Sequence, residues 1–240
     1  MMLSTLLKNV MVRESSSDMD VDIQSIRMDS RKIKSGDLFA AVKDFYRDAH
    51  SYIAHAVEQG AAAVLLSDAP TGDIGVPWVR VHNVLEYLGP MCSTLYGHPS
   101  TKLAVVGITG TNGKTTTAQM IESILHSASM KSGFIGTTGV RYGDIETTTG
   151  LTTLEAPEVQ EVLVTMAADG VQAAAVAVSS HGTALMRVHD TQFTRDVATG
   201  LGRDLLHLHE QMTDSLEPNV PWLLGAVDHS PIRQRAVVPL

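Results

Sequence analysis

Between residues 102 and 128 the chain reads KLAVVGITGTNGKTTTAQMIESILHSA: an apolar run, a glycine-rich turn and an amphipathic stretch, with nothing between them. Few folds accommodate that order. An apolar run without polar alternation is a strand covered on both faces, which places it in a parallel sheet with helices on either side. The glycines let several backbone N–H groups converge on one anion, and the following helix directs the positive end of its dipole to the same point. Gly110, Thr111, Asn112, Gly113, Lys114, Thr115 and Thr116 are therefore the candidate phosphate contacts. Lys114 would neutralise the β- and γ-phosphates and Thr115 would offer its hydroxyl to the accompanying magnesium ion, so ATP with Mg2+ is the expected ligand pair. Common phosphate-loop spacing would put glycine at Ile108; the strand-before, helix-after context outweighs that one departure.

The same alternation extends both ways, giving an α/β fold class. Upstream, a polar turn MDSRKIKSGD, a strand DLFAAV, a helix YIAHAVEQG stopping at Gly60 and a strand AAAVLL form a small unit. Asn83 is placed to cap a helix VLEYLGPMCSTLYG before the break at Pro99. Downstream come a short strand around GFIGTTG, a hairpin-like polar segment, a helix APEVQEVLVTMAADG and an apolar strand VQAAAVAV that ends in SSHG. After His189 only one helix is legible. The expected organisation is a small N-terminal α/β domain over residues 1–100, part of a phosphate-loop-type parallel sheet over 101–210, and an irregular tail over 211–240.

Charge and composition narrow the partners. With 18 Lys and Arg against 26 Asp and Glu, the net charge of -8 repels nucleic acid. No stretch approaches the roughly 18 to 20 unbroken apolar residues that cross a bilayer, and MMLSTLLKNVMV lacks the form of a secretory signal, so no membrane association and a cytoplasmic location are expected. Cys92, the single cysteine, reads as buried packing. Met120, Met166 and Met186 likewise read as core filling.

The string VVGITGTNGKTTTAQMIESIL resembles the ATP loop of the Mur ligases, the ATP-dependent amide-forming ligases of peptidoglycan assembly. MDSRKIKSGDLFAAVKDFYRDAHSYIAHAVEQGAAAVLL resembles the N-terminal domain of the branch that adds a diamino acid to UDP-N-acetylmuramoyl-dipeptide. The resemblance implies that Ser30 of the DSR motif lies at the UDP moiety. GLTTLEAPEVQ and VSSHGTALMRV continue it, implying substrate contacts at Thr152, Thr153, Ser180 and Arg187, with His181 in a turn at a strand end. On residue type alone, Ser30 also reads as a turn cap, Thr152 and Thr153 as ordinary strand residues and Arg187 as a surface charge.

Several positions depart from the family pattern. The magnesium-binding glutamate that the resemblance implies before SSH is Ala177, and a methyl group cannot ligate a hard cation. The next family signature appears as TGLGRDLLHLH: Gly200 replaces an adenine-associated asparagine and Leu205 a histidine, while Arg203, Asp204 and His209 remain. His209 joins Thr115 as a metal candidate on that basis. His207 and His209, on residue spacing alone, point to different faces of a helix. The family's carbamylated lysine has no counterpart, since no lysine follows Lys131. Members also extend well beyond the segment matched here. Three readings stay open: a chain that binds ATP and UDP-N-acetylmuramoyl-dipeptide without completing ligation alone, one piece of a split ligase completed by a partner chain, or a relic whose incomplete sheet is covered by self-association.

Overall fold

Two short-range patterns, short strands of two to six residues and helices with one buried stripe, build both halves of the chain. The computed structural model describes residues 1–16, 19–44, 48–199 and 236–237. It divides into two units, Met1–Gly97 and His98–Leu240.

In the first unit the elements are α1 (Leu3–Leu6), β1 (Glu14–Ser15), β2 (Ser25–Arg27), β3 (Asp37–Ala40), α2 (Ile53–Glu58), β4 (Ala63–Leu66), β5 (Trp78–Arg80) and α3 (Val84–Leu95). The sheet order is β1-β5-β4-β3-β2, parallel except for β1 at its edge. Every residue of β3 and β4 is buried, as central parallel strands require. Phe39, Val64 and Leu66 pack with Ala56 of α2 on one side. Gly60 follows α2 closely, and Asn83 caps α3 by accepting from the N–H of Leu85 at 3.1 Å. Cys92 is fully buried in α3.

The second unit contains β6 (Ala104–Thr109), α4 (Lys114–Ser127), β7 (Ser132–Gly136), β8 (Gly139–Tyr142), β9 (Ile145–Thr147), α5 (Ala156–Ala168), β10 (Ala173–Ala177), α6 (Ser180–Ala184), β11 (Arg195–Ala198) and β12 (Ala236–Val237). Its order is β12-β11-β6-β10-β7-β8-β9, with β8 and β9 antiparallel and the rest parallel. α4 packs against Ile108, Phe134 and Ala175 through Ala118 and Ile121. Val159, Leu163 and Met166 of α5 meet Val105, Ile135, Ala174 and Val176. Alternate residues of each central strand thus serve opposite helices, and the sheet is covered on both faces by described residues.

Two expectations are corrected. β11 is a strand where the sequence showed no strand pattern: RDVA carries two charged residues in four, and its place is set by pairing with β6 rather than by apolar periodicity. Asp196 is nevertheless buried. Met120 is 59% exposed, as Ile124 is at 67%, because both lie on the side of α4 away from the sheet; Met166 is buried and Met186 half-buried.

The β7–β8 turn depends on Gly139. Its φ of +126° is outside the range of side-chain-bearing residues, and a Cβ there would lie 1.9 Å from the carbonyl oxygen of Thr147. Gly139→Ala is expected to lower stability by about 2 kcal/mol or more in urea unfolding. Gly150→Ala, at a position with open space around its Cβ and no positive φ, should leave the midpoint nearly unchanged.

Candidate functional site

Parallel pairing brings the carboxyl ends of β6, β7, β10 and β11 to one edge of the second sheet, where open α/β sheets collect ligands. The glycine-rich loop leaves β6 after Thr109 and enters α4 at Gly113, whose φ of +83° makes the sharp turn. α4 has no side-chain cap and no acidic residue in its first turn, so its first N–H groups and its dipole remain for an anion. Lys114 Nζ donates to the carbonyls of Gly110 at 2.6 Å and Thr111 at 3.1 Å. Burial pushes its pKa down.

Thr199, just beyond β11, holds the loop from the other side. Its N–H donates to Thr109 O at 2.9 Å, and its hydroxyl reaches both Thr109 O at 3.2 Å and Asn112 O. Sequence reasoning passed over this residue while weighing its neighbour Gly200. The available signal was its position opening the TGLGRD stretch.

The LTT segment faces the SSH turn. Thr153 is buried, and its hydroxyl accepts from Ser179 N at 2.9 Å, donates to Ala177 O at 3.2 Å and lies 3.1 Å from Ser179 Oγ. Ser179 Oγ in turn caps α6 by accepting from Gly182 N at 3.0 Å. Arg187, also buried, donates from Nη1 to Thr153 O at 2.9 Å and from Nη2 to Glu155 Oε1 at 2.7 Å. Thr153 and Arg187 are thus turned inward as the scaffold of the segment, and neither the strand nor the surface-charge reading on residue type describes them. Thr152 and Ser180 are half-exposed. Thr152 Oγ1 accepts from Thr137 Oγ1 at 3.0 Å.

Ser30 lies in the first unit. It is buried in a 3-10 turn, Ser30–Lys32, and its Oγ is 3.0 Å from His55 Nδ1. The turn's cap is Asp29, which accepts from the backbone N–H of Arg31; the Arg31 guanidinium beside it holds the carboxyl at about 2.

The donor set fits a nucleotide's phosphates better than a protein-held metal pair. Thr115 presents a hydroxyl beside the loop, and magnesium that arrives with phosphates needs few protein ligands. At position 177 the surroundings are apolar: a Cβ added at Gly136 would meet the Phe134 ring at 2.6 Å and the Ala177 methyl at 3.3 Å. Ala177 thus presents a methyl group where the resemblance implied a carboxylate. His209, with Gly200, Arg203, Asp204, Leu205 and His207, lies outside the described residues.

A group the sequence reading missed, Asp48, His50 and Asp68, has metal-ligand composition. Its atoms are already engaged. His50 Nε2 accepts from the N–H groups of Ser67 at 3.1 Å and Asp68 at 3.2 Å, which leaves the ring proton on Nδ1, 2.6 Å from Asp48 Oδ1. Lys43 Nζ bridges Asp68 and Asp48 at 2.8 and 3.4 Å. The N–H groups of His50, backbone first, hold the Asp48 carboxyl below the usual carboxylate range.

Loop, sheet and strand order define the class: a phosphate-loop α/β protein. Residues 108–218 match the Mur ligase middle domain, and residues 22–96 match the family described as Mur ligase family, catalytic domain. The chain belongs to the Mur ligase family. It is 36% identical over 217 residues to a UDP-N-acetylmuramoyl-L-alanyl-D-glutamate–2,6-diaminopimelate ligase of Alkaliphilus metalliredigens, covering 90% of this chain and 44% of the relative. With the Bacillus cereus ligase of the same name it shares 38% over 193 residues, 80% of this chain and 39% of the relative. The chain therefore spans less than half the length of these curated relatives. A solved ligase of that name superposes with a TM-score of 0.74 at 20% identity, covering 99% of this chain and 52% of the other. MurF ligase from Thermotoga maritima, solved with ADP, gives 0.52 at 17% identity over 90% and 49%.

Thr153→Val keeps the shape of the side chain but strands the Ser179 N–H and removes a bond to Ala177 O. It should cost about 1–3 kcal/mol in chemical unfolding, while Thr152→Val at its half-exposed neighbour should cost well under that.

Proposed function

We propose that this chain binds a magnesium nucleoside triphosphate at the 110–116 loop and a UDP-N-acetylmuramoyl-dipeptide along the Thr152–Ser180 edge, as the nucleotide- and acceptor-binding part of an amide-forming ligase of peptidoglycan precursor synthesis. The observation that carries this reading is the uncapped start of α4 with Lys114, set at the same sheet edge as the LTT segment. The names of the relatives supply the acceptor and the 2,6-diaminopimelate amine; the loop supplies the place for the phosphates.

In such a reaction the acceptor carboxylate takes the γ-phosphoryl group and ADP departs. An amine then attacks the acyl carbon, releasing phosphate and losing a proton. Magnesium offsets charge at the phosphates and would be held here by Thr115. Lys114 leaves its loop carbonyls for the β- and γ-oxygens, the N–H groups of the loop and α4 orient the chain of phosphates, and Thr199 keeps the loop from collapsing. Thr152 and Ser180 position the acceptor, while Arg187 and Thr153 hold the segment that carries Thr152. Ala177 contributes no charge at the transferring group, so these residues support binding and orientation rather than unaided turnover. Removing such electrostatic stabilisation costs about two to three powers of ten in rate per group.

Calorimetric titration with magnesium-ATP, and separately with UDP-N-acetylmuramoyl-dipeptide, tests the reading. Both should bind, and Lys114→Ala should abolish nucleotide binding alone; binding of neither ligand overturns the proposal. The pH dependence follows from the lowered Lys114 pKa. In the free protein the buried ammonium opposes folding at neutral pH, a penalty relieved as pH rises through the lowered folded value toward 10.5 in the unfolded chain. Phosphate favours the ammonium, so nucleotide affinity should fall as pH climbs through that lowered value, earlier than an exposed lysine would dictate.

A further inference from the structure

The turn between β7 and β8 joins the phosphate loop's helix to the LTT segment through side-chain hydroxyls. From α4, Thr115 Oγ1 donates to Thr137 Oγ1 at 3.4 Å, and Gln119 Nε2, one helical turn on, donates to Thr138 Oγ1 at 3.4 Å. Thr137 Oγ1 passes its own hydrogen to Thr152 Oγ1 at 3.0 Å. Thr149 ties the same region together, its hydroxyl shared between Gly136 O at 3.4 Å and Leu151 O at 3.0 Å.

Each hydroxyl has a single hydrogen to give. Thr115 commits its hydrogen to Thr137, and Thr137 commits its hydrogen to Thr152. The Thr152 hydrogen is committed to nothing among the described residues, so it is the end of the chain that an acceptor oxygen can take. The direction also suits a metal-ligating Thr115: its oxygen lone pair would be available to a cation while its hydrogen stays on Thr137. A hydroxyl whose oxygen is ligated becomes a stronger donor, and hydrogen bonds in series polarise one another.

We infer that Thr137 is a positioning residue that couples the two ligand sites, so that magnesium-nucleotide at the loop strengthens the hold of Thr152 on the anionic acceptor, and the acceptor strengthens nucleotide binding in return. The inference rests on the two-ligand reading above. Linkage requires the two effects to be equal, and a coupling of this kind is expected at about fivefold in affinity.

The test titrates UDP-N-acetylmuramoyl-dipeptide into the full chain, with and without saturating magnesium and a non-hydrolysable ATP analogue. The wild type should bind the dipeptide about fivefold tighter with the analogue present. Thr137→Val should bring that ratio to one, and Thr137→Ser, which restores the hydroxyl, should recover it. Replacing magnesium by EDTA should also bring the wild-type ratio to one, since the chain of donors starts at the ligated Thr115. Thr137 is exposed, so folding should survive; thermal unfolding checks this, and Thr137→Ala serves as a second hydroxyl-free variant should valine disturb the turn. A wild-type ratio of one, or a ratio that persists in both hydroxyl-free variants, overturns the coupling while the two-ligand reading stands. Failure of the wild type to bind either ligand removes both.

Discussion

The pairing of β6 with β10, residue for residue from Ala104–Ala173 to Ile108–Ala177, is the constraint on which the second unit depends. It aligns the carboxyl ends of the strands, so the phosphate loop and the SSH turn emerge at one edge. Four of the five residues of β10 are alanine, and the whole strand is buried. Small side chains let α4 approach the sheet on one face while α5 packs its larger Val159, Leu163 and Met166 on the other. Close packing on both faces leaves little freedom for the strand ends to drift.

On that platform, buried polar contacts decide the shape of the loops. Thr153, Ser179, Arg187 and Glu155 bond to one another and to the backbone around them, with Arg187 Nε alone of that guanidinium left without a partner, and Thr199 ties down the phosphate loop in the same way. Such groups are costly when left unpaired, so the arrangement is specified sharply rather than merely permitted. The exposed Thr137 and the half-exposed Thr152 stand on a rigid base as a result. Position 177 illustrates the opposite choice: an apolar corner formed by Phe134, Gly136 and Ala177 lies where the family resemblance implied a carboxylate.

The phosphate loop was legible because its chemistry is local. Its glycines, lysine and threonines are contiguous, and the strand before them and the helix after them form as that pattern predicts. Arg187 was legible as a residue of interest but not in its role, because only the fold shows its guanidinium enclosed by Thr153 and Glu155. Thr199 escaped notice for a related reason: it lies 90 residues from its partner Thr109, and no local pattern connects them. Met120 was misread because helical spacing alone does not reveal which side of α4 meets the sheet.

The amino-acid sequence by itself determined the α/β class, the strand-loop-helix unit and the family, since these follow from short-range periodicity and from motifs whose residues are contiguous. Tertiary structure alone decided that β11 is a strand, that Arg187 and Thr153 face inward and that a line of hydroxyls joins Thr115 to Thr152. Each of these is a contact between segments far apart in the chain, and its energy depends on burial and on partners that exist only once the sheet has assembled.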